Sequence, residues 1–187
     1  MSIMGLHRKP GENRQPEDFY ATHPCAIPPL MDFLGWQNGG KLIFEPCCGK
    51  GHLSSIMETY GHTVISTDLI DRDYGIVGVD FLHDHWTQQM PYDAIITNPP
   101  YRFAQQFIEK SLTLAPVVCM FLRLSFLEST KRRKFFKLHP PRYVCVFSER
   151  VPSSKDAVFD PSESSTVCYA WFIWEENYIG RPEIVWF

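Results

Sequence analysis

The stretch KLIFEPCCGKGHLSSIMETYGHTVISTD, residues 41–68, decides the fold. Its start, KLIFEP, is a short apolar strand. The turn Cys47-Cys48-Gly49-Lys50-Gly51 follows. Leu53, Ile56, Met57 and Tyr60 then fall near helical spacing, and Gly61 can close that helix. HTVISTD is a second strand, ending at Asp68. Strand, glycine turn, helix, strand is a β-α-β unit, which in one sheet is right-handed and parallel. Ligands of open α/β sheets bind outside the carboxyl ends of the strands. The glycine turn and Asp68 both lie at that edge.

Working outward, the same alternation continues. IVGVDFL reads as a short strand ending near Asp80, and YDAIITNPPY as an apolar strand stopped by two prolines. FAQQFIEKSLTLA is helical, with Phe103, Phe107, Ile108, Leu112 and Leu114 as its apolar positions and Pro116 as its stop. VVCMFLRLSFL is a continuous apolar run, as expected of a strand buried on both faces. KRRKFFKL is short and basic, and RYVCVFSE is another strand. STVCYAWFIWE and PEIVWF bracket a turn at 177–180 and read as an antiparallel pair. Upstream, 24–37 reads as a short helix interrupted by Pro28, Pro29 and Gly35, and residues 1–16 as a mobile arm. The 15 prolines exceed the ~9 of average usage, but they fall mainly between elements. The expected fold is α/β and Rossmann-like: a mostly parallel sheet, helices on both faces, in one domain spanning 1–187.

Composition narrows the class. With 187 residues and 44% hydrophobic, the chain can bury a core without disulfides or a structural metal. Lys+Arg 18 against Asp+Glu 21 excludes a chain that grips nucleic acid by net charge, though not a local basic patch. No apolar run is long enough for a membrane span, and the N-terminus lacks the apolar core of a secretory signal. The six cysteines are scattered apart from Cys47-Cys48, and no C-x-x-C occurs. That pattern suits buried thiols in a cytoplasmic protein and argues against a zinc site.

The chemistry concentrates in four places. At the glycine turn, Ser54 replaces the third glycine of the dinucleotide fingerprint. The Walker pattern fails as well, at Phe44 and Gly51. Alone, the turn is equally a tight strand-to-helix connection. Asp68 follows Gly51 by seventeen positions, where a carboxylate can accept from both hydroxyls of a ribose. A helix N-cap is the other use of such an aspartate. Asp80-Phe81 offers an acceptor for an exocyclic amino group and a ring to pack on a base, although Phe81 also suits a core. Asn98-Pro99-Pro100-Tyr101 ends the strand AIIT at the same edge. The Asn98 side-chain carbonyl and the Pro99 main-chain carbonyl are paired acceptors for a planar amino group. Accepting both N–H bonds favours a more tetrahedral, nucleophilic nitrogen without a metal. Tyr101 can stack on a planar substrate. The alternative is a Pro-Pro strand stop with a turn asparagine.

Together these residues resemble the class I S-adenosylmethionine-dependent methyltransferases, in the amino-methylating group that carries N-P-P-Y. Glu45-Pro46-Cys47-Cys48-Gly49-Lys50-Gly51 matches the first cofactor motif, E-P-x-x-G-x-G. Asp68 matches the ribose position, and Asp80-Phe81 the adenine pair. Asp18-Phe19-Tyr20-Ala21-Thr22-His23-Pro24 is similar to the D-x-Y-x-T-x-P segment of phage-type DNA adenine methyltransferases. The resemblance implies S-adenosyl-L-methionine as cofactor, held by Tyr20, Thr22, Glu45, Pro46, Gly49, Gly51, Asp68, Asp80, Phe81 and Asn98. It implies catalysis by Asn98, Pro99, Pro100 and Tyr101, and a seven-stranded sheet closed by a C-terminal antiparallel hairpin. Val151-Pro152-Ser153-Ser154 stands where the family has a second aromatic clamp, for which Phe159 is a substitute.

The expected reaction is methyl transfer to N6 of adenine in DNA, in a phage or prophage setting. The runner-up acceptors are a protein glutamine amide and an RNA adenine, which present the same planar amino nitrogen. A binding module that keeps the fold without turnover is the non-enzymatic alternative. Lys131-Arg132-Arg133-Lys134 is the candidate nucleic-acid contact, or equally a solvated face. Trp171, Trp174 and Trp186 read as core aromatics of the sheet, and His52 and His62 as lying near the cofactor turn. No target-recognition domain, metal or membrane partner is expected.

Overall fold

The computed structural model describes residues 20–84, 90–154, 159 and 167–187. The expected mobile arm therefore lies outside the described residues, as do Asp18 and Phe19. In chain order the elements are β1 (Ala21–Thr22), α1 (Ile27–Leu34), β2 (Leu42–Glu45), α2 (His52–Thr59), β3 (Thr63–Asp68), β4 (Ile76–Val77), β5 (Ala94–Thr97), α3 (Ala104–Ser111), β6 (Val117–Arg123), α4 (Thr130–Leu138), β7 (Tyr143–Val146), β8 (Ser153–Ser154), β9 (Tyr169–Glu175) and β10 (Glu183–Trp186).

Eight strands form one mixed sheet in the order β10-β7-β9-β6-β5-β2-β3-β4. All neighbours are parallel except β9, which runs antiparallel between β6 and β7. The Rossmann-like expectation holds, with two refinements. The antiparallel hairpin is made by β7 and β9, not by β9 and β10. β10 instead crosses to the far side of β7 and pairs parallel with it, giving an eighth strand.

Period-two alternation puts each central strand into two cores. Phe44, Ile95, Val118 and Phe172 face one side, where α3 brings Phe107 and Ile108 and α4 brings Phe135. Ile43, Ile96, Cys119 and Trp171 face the other, where α1 brings Leu30 and Met31 and α2 brings Leu53 and Met57. Trp171 and Trp174 are buried as expected, and their indole N–H groups donate to Ala26 O and His139 O. Trp186 corrects the third assignment: it is 70% exposed because β10 is an edge strand.

Three boundaries differ for local reasons. Pro28 and Pro29 sit in the first turn of α1, where a missing N–H costs nothing, so they start the helix rather than interrupt it. Gly35 ends it at φ +70°. The apolar run 117–127 is a strand only to Arg123, then a 3-10 turn over Leu124–Leu127. Strand β4 stops at Val77, and Gly78 (φ +76°) turns the chain so that Asp80 and Phe81 follow in a loop. Among the described residues no helix is long and apolar enough to cross a membrane.

Candidate active site

Parallel register carries Glu45, Asp68 and Asn98 to one edge: β2 pairs with β3 on one side and β5 on the other. A cleft of about 270 Å³ opens there. Tyr20, Thr22, Glu45, Pro46, Gly49, Asp68, Asp80, Phe81, Asn98 and Pro100 all line it. Gly51, Pro99 and Tyr101 do not. Leu69, Ile70 and Arg102 line it too, and sequence reasoning passed over them. Leu69 and Ile70 directly follow the acidic strand end, a position that could have drawn attention to them.

The glycine turn and the acidic strand end are one unit. The Gly49 N–H donates to Asp68 Oδ2 at 2.9 Å, and the Ile70 N–H donates to Asp68 Oδ1 at 2.9 Å. Gly49 adopts φ +56° and Gly51 φ +78°, left-handed conformations that favour glycine. A Cβ on Gly51 would also stand 2.5 Å from the Tyr74 ring. The Asp68 carboxylate is thus held at the cleft wall by main chain, with its remaining lone pairs available.

Asp80 is held in the same way. The Leu82 N–H donates to Oδ1 at 3.0 Å, and His83 Nδ1 lies 2.8 Å from Oδ2. Burial acts to raise its pKa, but the hydrogen bonds from His83 and the Leu82 N–H prevail and hold the carboxyl below its usual range. Phe81 serves core and cleft together. It is 2% exposed, packs on Phe107 at 4.8 Å, and has the Lys110 ammonium 5.1 Å from its ring.

Glu45 is 1% exposed. Its Oε2 accepts from the Ser54 hydroxyl, which also meets the Ser66 hydroxyl at 2.6 Å. Burial pushes its pKa to about 8, against the lowering effect of the Ser54 hydrogen bonds. Burial thus favours the protonated carboxyl. A cation delivered to its carboxyl would favour ionisation.

At the N-P-P-Y segment, both Asn98 amide N–H groups are consumed. Nδ2 donates to Tyr20 O and to Thr22 Oγ1, each at 2.9 Å. That leaves Oδ1, buried and accepting no hydrogen bond. An orphaned buried acceptor is costly unless a ligand satisfies it. The short strand β1, which carries these partners, is itself held by β8. Ala21 pairs with Ser154 and Thr22 with Ser153, and the His23 N–H donates to Pro152 O at 3.2 Å. The Val151–Ser154 segment thus anchors the N-terminal motif, which in turn sets the Asn98 amide.

Tyr101, the expected stacking residue, is itself packed by neighbours. Tyr20 stacks on it at 5.9 Å, Tyr169 tilts against it at 6.3 Å, and the Arg123 guanidinium sits 4.6 Å from its ring centre. Burial pushes its hydroxyl well above the ordinary tyrosine range. Phe159 is not beside Tyr101; it meets His23 at 4.7 Å and His52 at 5.3 Å, both edge-on. Of the basic run, Arg132 is structural: its Nη1 donates to the Ser125, Phe126 and Glu128 carbonyls. Lys131, Arg133 and Lys134 are exposed on α4, just beyond the carboxyl end of β6. Among the described residues no cluster of His, Cys, Asp or Glu could hold a metal ion.

Comparison with solved structures settles the architecture. The methyltransferase subunit of a type I restriction-modification system from Streptococcus thermophilus superposes with TM-score 0.66 at 16% identity, covering 90% of this chain and 47% of that one. The chain shares the Rossmann-like fold of that subunit. Magnesium protoporphyrin IX methyltransferase from Synechocystis PCC 6803, solved with bound SAM, superposes with TM-score 0.55 at 13% identity, covering 82% of this chain and 78% of that one. This chain spans about half the length of the restriction-modification subunit. No protein-family model matches the sequence, and no curated protein does.

Proposed function

We propose that the protein is an S-adenosylmethionine-dependent methyltransferase that methylates an exocyclic amino nitrogen, N6 of adenine in DNA. The observation that carries this reading is the Asn98 amide. Its donors are both spent on Tyr20 and Thr22, and its buried oxygen has no partner at the cleft. A planar amino group supplies the missing donor, and the Pro99 carbonyl takes the second N–H.

The residues present fit the cofactor. Asp68 is fixed to accept from ribose hydroxyls, and Asp80 from an adenine amino group. Leu69, Ile70 and Phe81 form apolar walls for a purine. Glu45 supplies a buried acid for an α-ammonium. When bound, S-adenosylmethionine supplies a sulfonium-activated methyl group. The chain then has two tasks: Asn98 and Pro99 orient the acceptor nitrogen and stabilise the positive charge it gains, and the cleft walls exclude water.

DNA is favoured over a glutamine amide by the exposed Lys131, Arg133 and Lys134 beside the same sheet edge, which suit phosphates. The fold likeness to a restriction-modification methyltransferase subunit is consistent with that choice. An adenine in duplex DNA would have to leave the stack to reach Asn98. The test is incubation with methyl-labelled cofactor and separate DNA, RNA and protein acceptors. Label on DNA adenine supports the proposal. Label confined to RNA or to protein glutamine overturns the DNA assignment, and no transfer to any acceptor overturns the enzymatic one.

A further inference from the structure

Arg123 is a cation of the carboxyl edge that the proposed cofactor site does not use. It ends β6, next to the strand that delivers the N-P-P-Y segment, since Thr97 of β5 pairs with Met120 of β6 in parallel register. Its guanidinium lies 4.6 Å from the Tyr101 ring centre and 5.7 Å from that of Tyr20. Tyr169, its cross-strand partner on β9, stands on a third side and its hydroxyl is hydrogen-bonded to the guanidinium. Its Nε is buried and donates to nothing. Among the described residues no carboxylate pairs with it.

This placement is expensive if structure is its only purpose. A half-buried guanidinium without a counter-ion forgoes its strongest partners, and a buried N–H without an acceptor is costly. Cation–π contact and the Tyr169 hydroxyl return only part of that. What is missing is an anionic oxygen. The guanidinium also occupies a face of Tyr101, where a planar acceptor would stack. It is itself a planar group bearing amino nitrogens, so it fills that slot as an acceptor would.

We propose that Arg123 is an acceptor-contact residue: it packs on the face of Tyr101 and turns to engage the phosphate beside the target base when that base arrives. The inference rests on the proposed methylation of nucleic acid and names the group that reads its backbone. A glutamine amide has neither a ring to displace the guanidinium nor a phosphate to receive it. Arginine suits the second role because its planar fork meets phosphate oxygens in a bidentate manner.

The test compares wild type with Arg123→Leu and Arg123→Lys on adenine-unmethylated DNA of mixed sequence, over about 50–200 mM salt. Arg123→Leu should raise the KM for DNA at least tenfold and flatten the salt slope by about one phosphate contact, with cofactor Kd unchanged. Arg123→Lys keeps the charge and should recover most of the salt slope but not all of the KM. DNA carrying neutral methylphosphonate linkages should lower wild-type turnover to the level of Arg123→Leu on ordinary DNA. That last comparison needs only folded wild type if Arg123→Leu proves unstable, with Arg123→Lys as reference. An unchanged salt slope and KM in Arg123→Leu, or indifference of wild type to the neutral linkages, overturns the role. Wild type that transfers no methyl group to DNA under any of these conditions overturns the underlying reading and this proposal together.

Discussion

The Gly49 N–H donates to the Asp68 carboxylate at 2.9 Å across the two strand ends that form the cleft wall. One contact thus joins the glycine turn to the acidic strand end. The glycine conformation aims the N–H, and the N–H aims the carboxylate.

Asp68→Ala removes the proposed ribose acceptor and orphans the Gly49 and Ile70 N–H groups. Cofactor affinity should fall at least tenfold by titration calorimetry. Stability should drop by about 1–3 kcal/mol in urea denaturation. Unchanged affinity removes the ribose assignment, whatever happens to stability.

Glu45 sets a pH dependence. Its folded pKa, about 8, lies above its ordinary 4.5, so between those values the folded protein holds a proton that the unfolded chain gives up. The contribution of Glu45 to stability is fully present below about pH 4.5 and declines as pH rises towards 8. Glu45→Gln, which cannot ionise, should flatten that decline in denaturation curves between about pH 5 and 9. If Glu45 meets the cofactor ammonium, cofactor binding releases a proton below pH 8, and wild-type affinity rises with pH while Glu45→Gln stays level. Parallel profiles for the two proteins would remove Glu45 from the site.

Thr22→Val keeps the shape of β1 but deletes one acceptor of the Asn98 amide. The amide is then free to turn its oxygen away from the acceptor nitrogen. Turnover should fall by about tenfold or more, corresponding to about 1.4 kcal/mol or more, with cofactor affinity nearly unchanged. Wild-type turnover would mean that Thr22 does not position Asn98.

Gly51→Ala forces an L side chain to φ +78° and against the Tyr74 ring. A loss of about 1–3 kcal/mol is expected in urea denaturation. Tyr74→Ala in the same background should restore only the steric part. Full restoration would show that the backbone carries no strain there.

Residues 41–68 were legible because each part has its own signal: a strand run, helical spacing at Leu53, Ile56 and Met57, and glycines where φ must be positive. The N-P-P-Y segment could be placed because β5 delivers it to the same edge. The β1–β8 pair was not legible, since two-residue strands have no periodicity and their pairing joins Thr22 to Ser153 across most of the chain. The Asn98 contacts to Tyr20 and Thr22 span 78 and 76 positions and depend on that pairing. The place of β10 was not legible for a related reason. Proximity in sequence favours β9 as its partner, while the sheet offers β7, and only Val185 and its side of the strand find cover against the core. Charge alone could not separate Arg132, turned inward onto three carbonyls, from its exposed neighbours.

In the proposed reaction the Asn98 oxygen accepts from the nitrogen that receives the methyl group. Asn98→Ala tests it most directly, with cofactor Kd and methyl transfer to DNA adenine measured side by side against wild type. Cofactor binding should stay within a few-fold of wild type while turnover falls by about a hundredfold or more, the scale of losing a preorganised polar contact. Equal turnover in the two proteins would contradict it.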